Sequence, residues 1–191
     1  MKKLRVIIAE DEPVTRRDIK EMLLEEKIQV IGECGDGLRA IELAKTLKPD
    51  LILMDIKMPI MDGIEAAQKL NEENLAPVML LTAYSQDELI ERAREAGVLA
   101  YLVKPINKRS LIPACHIAVS RYKEFNVLKK EVNTLTEALE SRKVMEKAKG
   151  ILQKFYGIDE ESAFNKIRSI SMNKRKSMKQ VAESIILTLG E

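Results

Sequence analysis

The sequence predicts an α/β fold over about its first 120 residues, a parallel sheet with helices on both faces, and an all-helical remainder. Short apolar runs alternate with amphipathic stretches as far as Val103, the pattern of strands joined by crossover helices. After Pro105 the apolar residues keep helical spacing instead. Composition agrees, because 4% aromatics with no Trp beside 32% charged residues suits a chain with a long helical segment.

Taken in order, Leu4–Ala9 reads as the first strand. Residues 13–25 follow with helical spacing at Val14, Met22 and Leu23, and Pro13 falls where a first helical turn tolerates it. Ile28–Gly32 is the second strand and residues 38–47 the second helix. Leu51–Met54 is the third strand, and Asp62 can cap a third helix through Leu70. Val78–Leu81 is the fourth strand, residues 86–96 the fourth helix ended by Gly97, and Leu99–Val103 the fifth strand. A stretch of this length suffices for one core.

In such sheets ligands sit beyond the carboxyl ends of the strands. Strand one delivers Glu10 and Asp11 there, strand three Asp55, strand four Thr82, and strand five Lys104 followed by Pro105. Each has a bland reading: a capping cluster, a surface acid in a turn, a strand-end hydroxyl, a snorkelling lysine. All five at one rim is harder to explain blandly. Three carboxylates within a few ångströms raise one another's pKa, and a hard divalent cation with oxygen ligands, Mg²⁺, relieves that. A lysine and a hydroxyl then suit the remaining oxygens of a phosphoryl group, with Asp55 as the nucleophile that forms an acyl phosphate.

The stretches Ile8-Ala9-Glu10-Asp11-Glu12-Pro13 and Leu53-Met54-Asp55-Ile56-Lys57-Met58-Pro59-Ile60-Met61-Asp62-Gly63 are the first two that match a known family. Thr82-Ala83-Tyr84 and Tyr101-Leu102-Val103-Lys104-Pro105 complete the set. Residues 1–122 thereby resemble the receiver domain of two-component response regulators. The resemblance implies a flavodoxin-like (βα)5 fold with parallel sheet order 2-1-3-4-5. It implies Asp55 as the phospho-acceptor for a sensor histidine kinase. Mg²⁺ would be held by Glu10, Asp11, Asp55 and the main-chain carbonyl of Lys57. Thr82 and Lys104 would bind the phosphoryl group, and Tyr101 would turn inward when Thr82 is drawn to it. A cis bond before Pro105 is also implied. Glu10 stands where many members have Asp; it is one methylene longer and still a carboxylate, so metal binding should survive.

Beyond Pro105, Asn107 or Ser110 can cap a long helix, and Ser110 fits better because Pro113 then falls in the first turn. Within that helix Phe125, Leu128, Val132, Leu135 and Leu139 recur at spacings 3, 4, 3 and 4. This is either a coiled-coil dimer seam of two heptads, about 21 Å long, or one amphipathic helix packing on its own chain. Residues 123–139 are expected to form this linker. So short a seam is marginal alone and suits conditional dimerisation. His116 has no neighbouring ligands in sequence and reads as structural.

The helix continues over Glu140–Phe155 and stops at Gly157; Asp159 can cap a second helix, and Ser177 with Gln180 forms a capping box for a third. Their apolar stripes predict three helices around one core. Residues 1–122 hold 18 Lys and Arg against 20 Asp and Glu, whereas residues 123–191 hold 14 against 10. That basic excess fits a nucleic-acid face and a merely solvated surface equally well.

Leu139-Glu140-Ser141-Arg142 and Met145-Glu146-Lys147-Ala148-Lys149-Gly150-Ile151-Leu152 resemble an ANTAR domain, as do Glu161-Ser162-Ala163-Phe164, Ile167-Arg168, Ser171-Met172 and Val181-Ala182. The resemblance covers residues 130–191, overlapping the linker, and implies RNA binding at paired stem-loops in mRNA leaders and transcription antitermination. Unpaired loop bases are what a protein can read in RNA. Arg142, Lys149, Arg168, Ser171, Asn173, Lys174 and Arg175 are the candidate RNA contacts, while Ala148, Gly150, Ala163 and Ile167 are expected to pack. Ser171 stands where many members have Ala. Ser110-Leu111-Ile112-Pro113 and Ser171-Met172-Asn173-Lys174-Arg175 further resemble ethanolamine-utilisation antiterminators.

Cys34 and Cys115 lie far apart with no CxxC spacing, as expected of reduced thiols in a cytoplasmic protein. Met1-Lys2-Lys3 is followed by too short an apolar run for a signal peptide, and no stretch approaches the roughly 18 apolar residues of a membrane span. The expectation is a regulator, not an enzyme with a second substrate, dimerising when phosphorylated. The alternatives are a DNA-binding response regulator and a ligand- or partner-controlled regulator with an unphosphorylated receiver.

Overall fold

The computed structural model describes residues 3–83 and 87–190. Met1 and Lys2, Tyr84 of the Thr82-Ala83-Tyr84 stretch, the expected helix start at residue 86, and Glu191 lie outside them. The chain forms two compact units, Met1–Asn126 and Val127–Glu191.

The first unit alternates β1 (Arg5–Ala9), α1 (Pro13–Glu25), β2 (Gln29–Cys34), α2 (Gly37–Leu47), β3 (Leu51–Asp55), α3 (Gly63–Glu72), β4 (Val78–Thr82), α4 (Asp87–Glu95) and β5 (Ala100–Val103). The five strands form one sheet of order β2-β1-β3-β4-β5, parallel throughout. The order reverses between β1 and β3, so a crevice opens beyond their carboxyl ends.

Period-two alternation places the core on both faces. Ile7, Ala9, Ile52, Met54 and Leu80 pack with α2, α3 and α4, whereas Val6, Ile8, Leu53, Met79 and Leu81 pack with α1 and the following helix, α5 (Lys108–Tyr156). β3 and β4 are buried at every residue, which is why they read as unbroken apolar runs.

Two expectations are corrected. β2 does not end at Gly32 but continues to Cys34. Gly32 pairs with Ile7, and a Cβ there would lie 3.1 Å from Leu47 Cδ1. The glycine makes room for α2 rather than stopping the strand. The cap of α5 is Asn107, not Ser110. Asn107 Oδ1 accepts from the Ser110 N–H at 3.0 Å, and the Ser110 hydroxyl donates back to the Asn107 carbonyl. Pro113 therefore sits inside the helix, past its first turn.

The second unit contains the rest of α5 with α6 (Glu160–Lys174) and α7 (Met178–Leu189). Ala148, Leu152, Ala163, Ile167, Val181, Ala182 and Ile185 form its buried core. Asp159 caps α6 by accepting from the Ser162 N–H, and Ser177 with Gln180 forms a reciprocal capping box on α7. Gly157, at φ +65°, follows the end of α5. Phe125, Leu128, Val132, Leu135 and Leu139 are each between 49% and 65% exposed. Among the described residues no helix is long and apolar enough to cross a membrane.

Candidate functional site

Each acidic or polar group at the sheet rim is delivered by backbone that the sheet itself fixes. Glu10 follows β1, and its N–H donates to the Cys34 carbonyl at 3.0 Å. Asp55 closes β3 opposite Leu81, and Thr82 closes β4 opposite Val103. The Lys104 N–H donates to the Thr82 carbonyl at 2.7 Å, so the lysine leaves β5 beside that threonine. The Lys104–Pro105 peptide bond is cis. Gly63 lets α3 approach closely, since a Cβ there would fall 2.0 Å from the Asp55 carbonyl oxygen. The Gly63 N–H donates to the Ile56 carbonyl at 2.8 Å.

Lys104 Nζ lies 2.9 Å from Glu10 Oε2 and 3.1 Å from Asp55 Oδ1. Glu10, Asp55 and Thr82 are buried, and Asp11 is exposed at the same cluster. Carboxylate oxygens from Glu10, Asp11 and Asp55 all fall within 4.8 Å of one another. Burial pushes the Glu10 carboxyl above its usual range; the Lys104 ammonium beside it opposes that, and the Asp55 charge adds to it. Burial likewise raises Asp55 despite the pull of Lys104. Burial works to lower Lys104, but its bonds to Glu10 and Asp55 outweigh this and the net direction is upward.

One lysine thus faces more negative charge than it neutralises. Glu10 Oε2 is buried, and the ammonium 2.9 Å away does not meet it in good hydrogen-bond geometry. An all-oxygen donor set with an unsatisfied buried carboxylate oxygen fits a hard divalent cation.

Other predicted residues are placed differently. Tyr101 lies on β5 and is 48% exposed. Lys57 is exposed on the loop after β3. On the same loop Ile60 is 81% exposed and holds φ +68°, a conformation costly for a β-branched residue. Sequence reasoning did not single out Ile60, nor Arg16, whose guanidinium donates to the Glu10 carbonyl. Neither has a local sequence signal.

In the second unit Arg142, Arg168, Asn173, Lys174 and Arg175 are exposed. Lys149 is not: its side chain is 10% exposed, and its ammonium lies 2.8 Å from Glu146 and 2.5 Å from Glu160. In the RNA-free chain Lys149, expected to contact RNA, bridges α5 and α6. The Ser171 hydroxyl donates to the Lys176 carbonyl at 2.6 Å and closes the turn after α6, which accounts for that hydroxyl. Ala148, Ala163 and Ile167 are fully buried, but Gly150 is not a packing residue, because a Cβ there would meet nothing within 4 Å.

A family model described as the response regulator receiver domain matches residues 6–116, and one described as the ANTAR domain matches residues 133–186. The transcriptional regulatory protein PdtaR of Mycobacterium tuberculosis is 52% identical over 186 residues, covering 97% of this chain and 91% of that protein. The chemotaxis protein CheY of Halobacterium salinarum is 36% identical over 111 residues, 58% of this chain and 92% of that protein. Among solved structures, the NarL receiver domain of Mycobacterium tuberculosis superposes with a TM-score of 0.61 at 30% identity, covering 63% of this chain and 98% of that one. The receiver domain of a Pseudomonas aeruginosa sensor histidine kinase, solved with a magnesium ion coordinated in its active-site cleft, gives 0.57 at 27% identity over 62% of this chain and 99% of that one.

Proposed function

Because the chain belongs to the response regulators that join a receiver domain to an ANTAR domain, we propose that it is a phosphorylation-controlled RNA-binding antiterminator. The observation that carries the input side is the Lys104 ammonium held between Glu10 and Asp55, with Asp11 in the same cluster. Asp55 is the phospho-acceptor: its carboxylate oxygen attacks the phosphorus of a kinase phosphohistidine, the P–N bond breaks, and an acyl phosphate remains on Asp55. Glu10, Asp11, Asp55 and the main-chain carbonyl of Lys57 would hold Mg²⁺, which would supply positive charge for the incoming phosphoryl oxygens. The magnesium held by the Pseudomonas receiver supports that choice of metal. Lys104 gives up part of its pairing with Asp55 to hold a phosphoryl oxygen, and the Thr82 hydroxyl holds another.

The modification adds up to about two negative charges at Asp55. Thr82 moves toward them, and Tyr101, outward here, turns in behind it. The exposed seam of Phe125, Leu128, Val132, Leu135 and Leu139 supports a homodimer formed in that state. Two ANTAR domains then engage paired stem-loops in an mRNA leader together, gaining by effective concentration. Arg142, Arg168, Asn173, Lys174 and Arg175 are its polar RNA-facing residues. The setting is the cytoplasm, where kinase and nascent transcript meet.

The test compares wild type with Asp55→Asn, with Mg²⁺ and a small phosphodonor, for oligomer mass and for binding to tandem hairpin RNA in competition with duplex DNA. The reading predicts a phosphodonor-dependent dimer with tighter hairpin binding in wild type only. Equal mass and affinity in all conditions would remove the coupling, and preference for duplex DNA would make the protein a DNA-binding regulator.

A further inference from the structure

The end of α5 presents two aromatic side chains that the three-helix core does not use. Phe155 is 62% exposed and Tyr156 48% exposed, and their rings meet edge to face at 5.1 Å. Lys166 Nζ stands 3.6 Å from the Tyr156 ring centroid, a cation–π contact that holds the ring in place.

Beside Tyr156 lies a cavity of about 300 Å³ with apolar walls from Ile170, Val181, Ile185 and Leu189, and with Lys174 and Lys176 among its lining. Ser184 and Thr188 also line it. Each of those hydroxyls donates its proton one turn back along α7, at 2.8 Å, to the Gln180 and Ser184 carbonyls respectively. Their oxygen lone pairs stay available as acceptors. A second cavity of about 350 Å³ includes Lys154 and Phe155 and shares Leu189 with the first. Among the described residues no carboxylate lines either cavity.

We infer that the cavity beside Tyr156 receives one unpaired RNA loop base, stacked on the Tyr156 ring, with Lys174 and Lys176 on the flanking phosphates. This rests on the reading of the helical unit as an RNA-binding module. Its volume lies at the low end of small-ligand pockets, the scale of one ring system. An aromatic face, acceptor oxygens for base-edge N–H groups and lysines for the phosphates are what a splayed-out base and its backbone require. A paired A-form duplex keeps its bases stacked and presents no such group.

To test it, hairpin RNAs with loops of randomised sequence and length are passed over the full chain with Mg²⁺ and a phosphodonor. A retained hairpin is then remade with each loop nucleotide abasic in turn. One abasic position is expected to weaken binding about 10-fold or more. Tyr156→Ala should weaken the intact hairpin by a similar factor and add nothing on that abasic hairpin, and Tyr156→Phe should match wild type. Thr188→Phe, which fills the cavity from an exposed position and leaves the ring in place, should reproduce the loss in a protein whose melting is unchanged. If both cavity variants bind the intact hairpin as wild type does, or lose equally on intact and abasic hairpins, the base site is overturned while RNA binding stands. If wild type retains no hairpin at all, both readings fall.

Discussion

Lys149 of α5 and Glu160 of α6 are joined across two helices, the ammonium 2.5 Å from the carboxylate, with Glu146 on its other side at 2.8 Å. The lysine's stem is packed away and its charged end reaches the rim, so its positive charge is already matched within the domain. Lys174, by contrast, is exposed at the end of α6.

The two lysines should therefore separate in the salt dependence of RNA binding. Lys174→Ala should lower the slope of log affinity against log salt by about 0.7, the value for one phosphate contact on a single strand. Lys149→Met should leave that slope unchanged and lower the melting temperature instead, because it leaves Glu146 and Glu160 unmatched. Anisotropy titrations between low and moderate salt, with melting curves for both variants, measure this.

The rim of the sheet makes a second expectation. Burial first, then the Asp55 charge on Glu10 and the Asp11 charge on Asp55, holds both carboxyls above their usual range. A group whose folded pKa is raised binds its proton more tightly in the folded state. Its contribution is fully present below the unfolded value and is lost as pH rises through the folded one. Metal-free wild type should thus lose stability relative to Asp55→Asn on going from acid to neutral pH. At pH 7 the variant should melt higher by on the order of 4 °C, or about 1 kcal/mol. Mg²⁺ should raise the wild type and much less the variant. Urea and thermal unfolding in chelator and in Mg²⁺ provide the comparison.

The strands and the rim were legible because burial writes locally. Leu51–Met54 must be apolar on both faces, and a carboxylate directly after them stands out. The caps at Asp62, Asp159 and Ser177 were legible for the same reason, since their partners lie two or three residues away. What escaped depended on distant neighbours. Gly32 looked like a strand end until Leu47 was seen beside it. Ser110 and Asn107 could each cap α5, and only the geometry chose between them. Lys149 sits in a basic sequence, yet its partner is on the next helix. The cavity at Tyr156 draws on the last turns of α5 and α6 and on most of α7, an arrangement that no sequence window contains.

The seam on α5 makes an expectation of a different kind. Leu128 and Leu135 are 59% and 65% exposed, so charging them removes no buried contact within one chain. Leu128→Glu with Leu135→Glu should leave the stability of the monomer within about 0.5 kcal/mol per substitution. The same pair should abolish concentration-dependent dimerisation of the phosphorylated protein in sedimentation equilibrium. A large fall in monomer stability would instead assign the stripe to packing on its own chain.

Gly150 interrupts α5 where nothing in the fold asks for a glycine. Its backbone is helical, and an added Cβ would have no neighbour within 4 Å. A glycine inside a helix costs about 0.5–1 kcal/mol relative to alanine, through the backbone freedom it loses on folding. Gly150→Ala should therefore stabilise the helical unit by about that amount, visible as a higher melting temperature with unchanged helix content. Because the fold gains from the substitution, any effect on RNA is read free of misfolding. Weaker hairpin binding by the more stable variant would place the RNA backbone against this bare patch, one turn from the exposed Lys147 and Lys154. Unchanged binding would leave that face of α5 outside the RNA contact and confine it to the side that carries Tyr156.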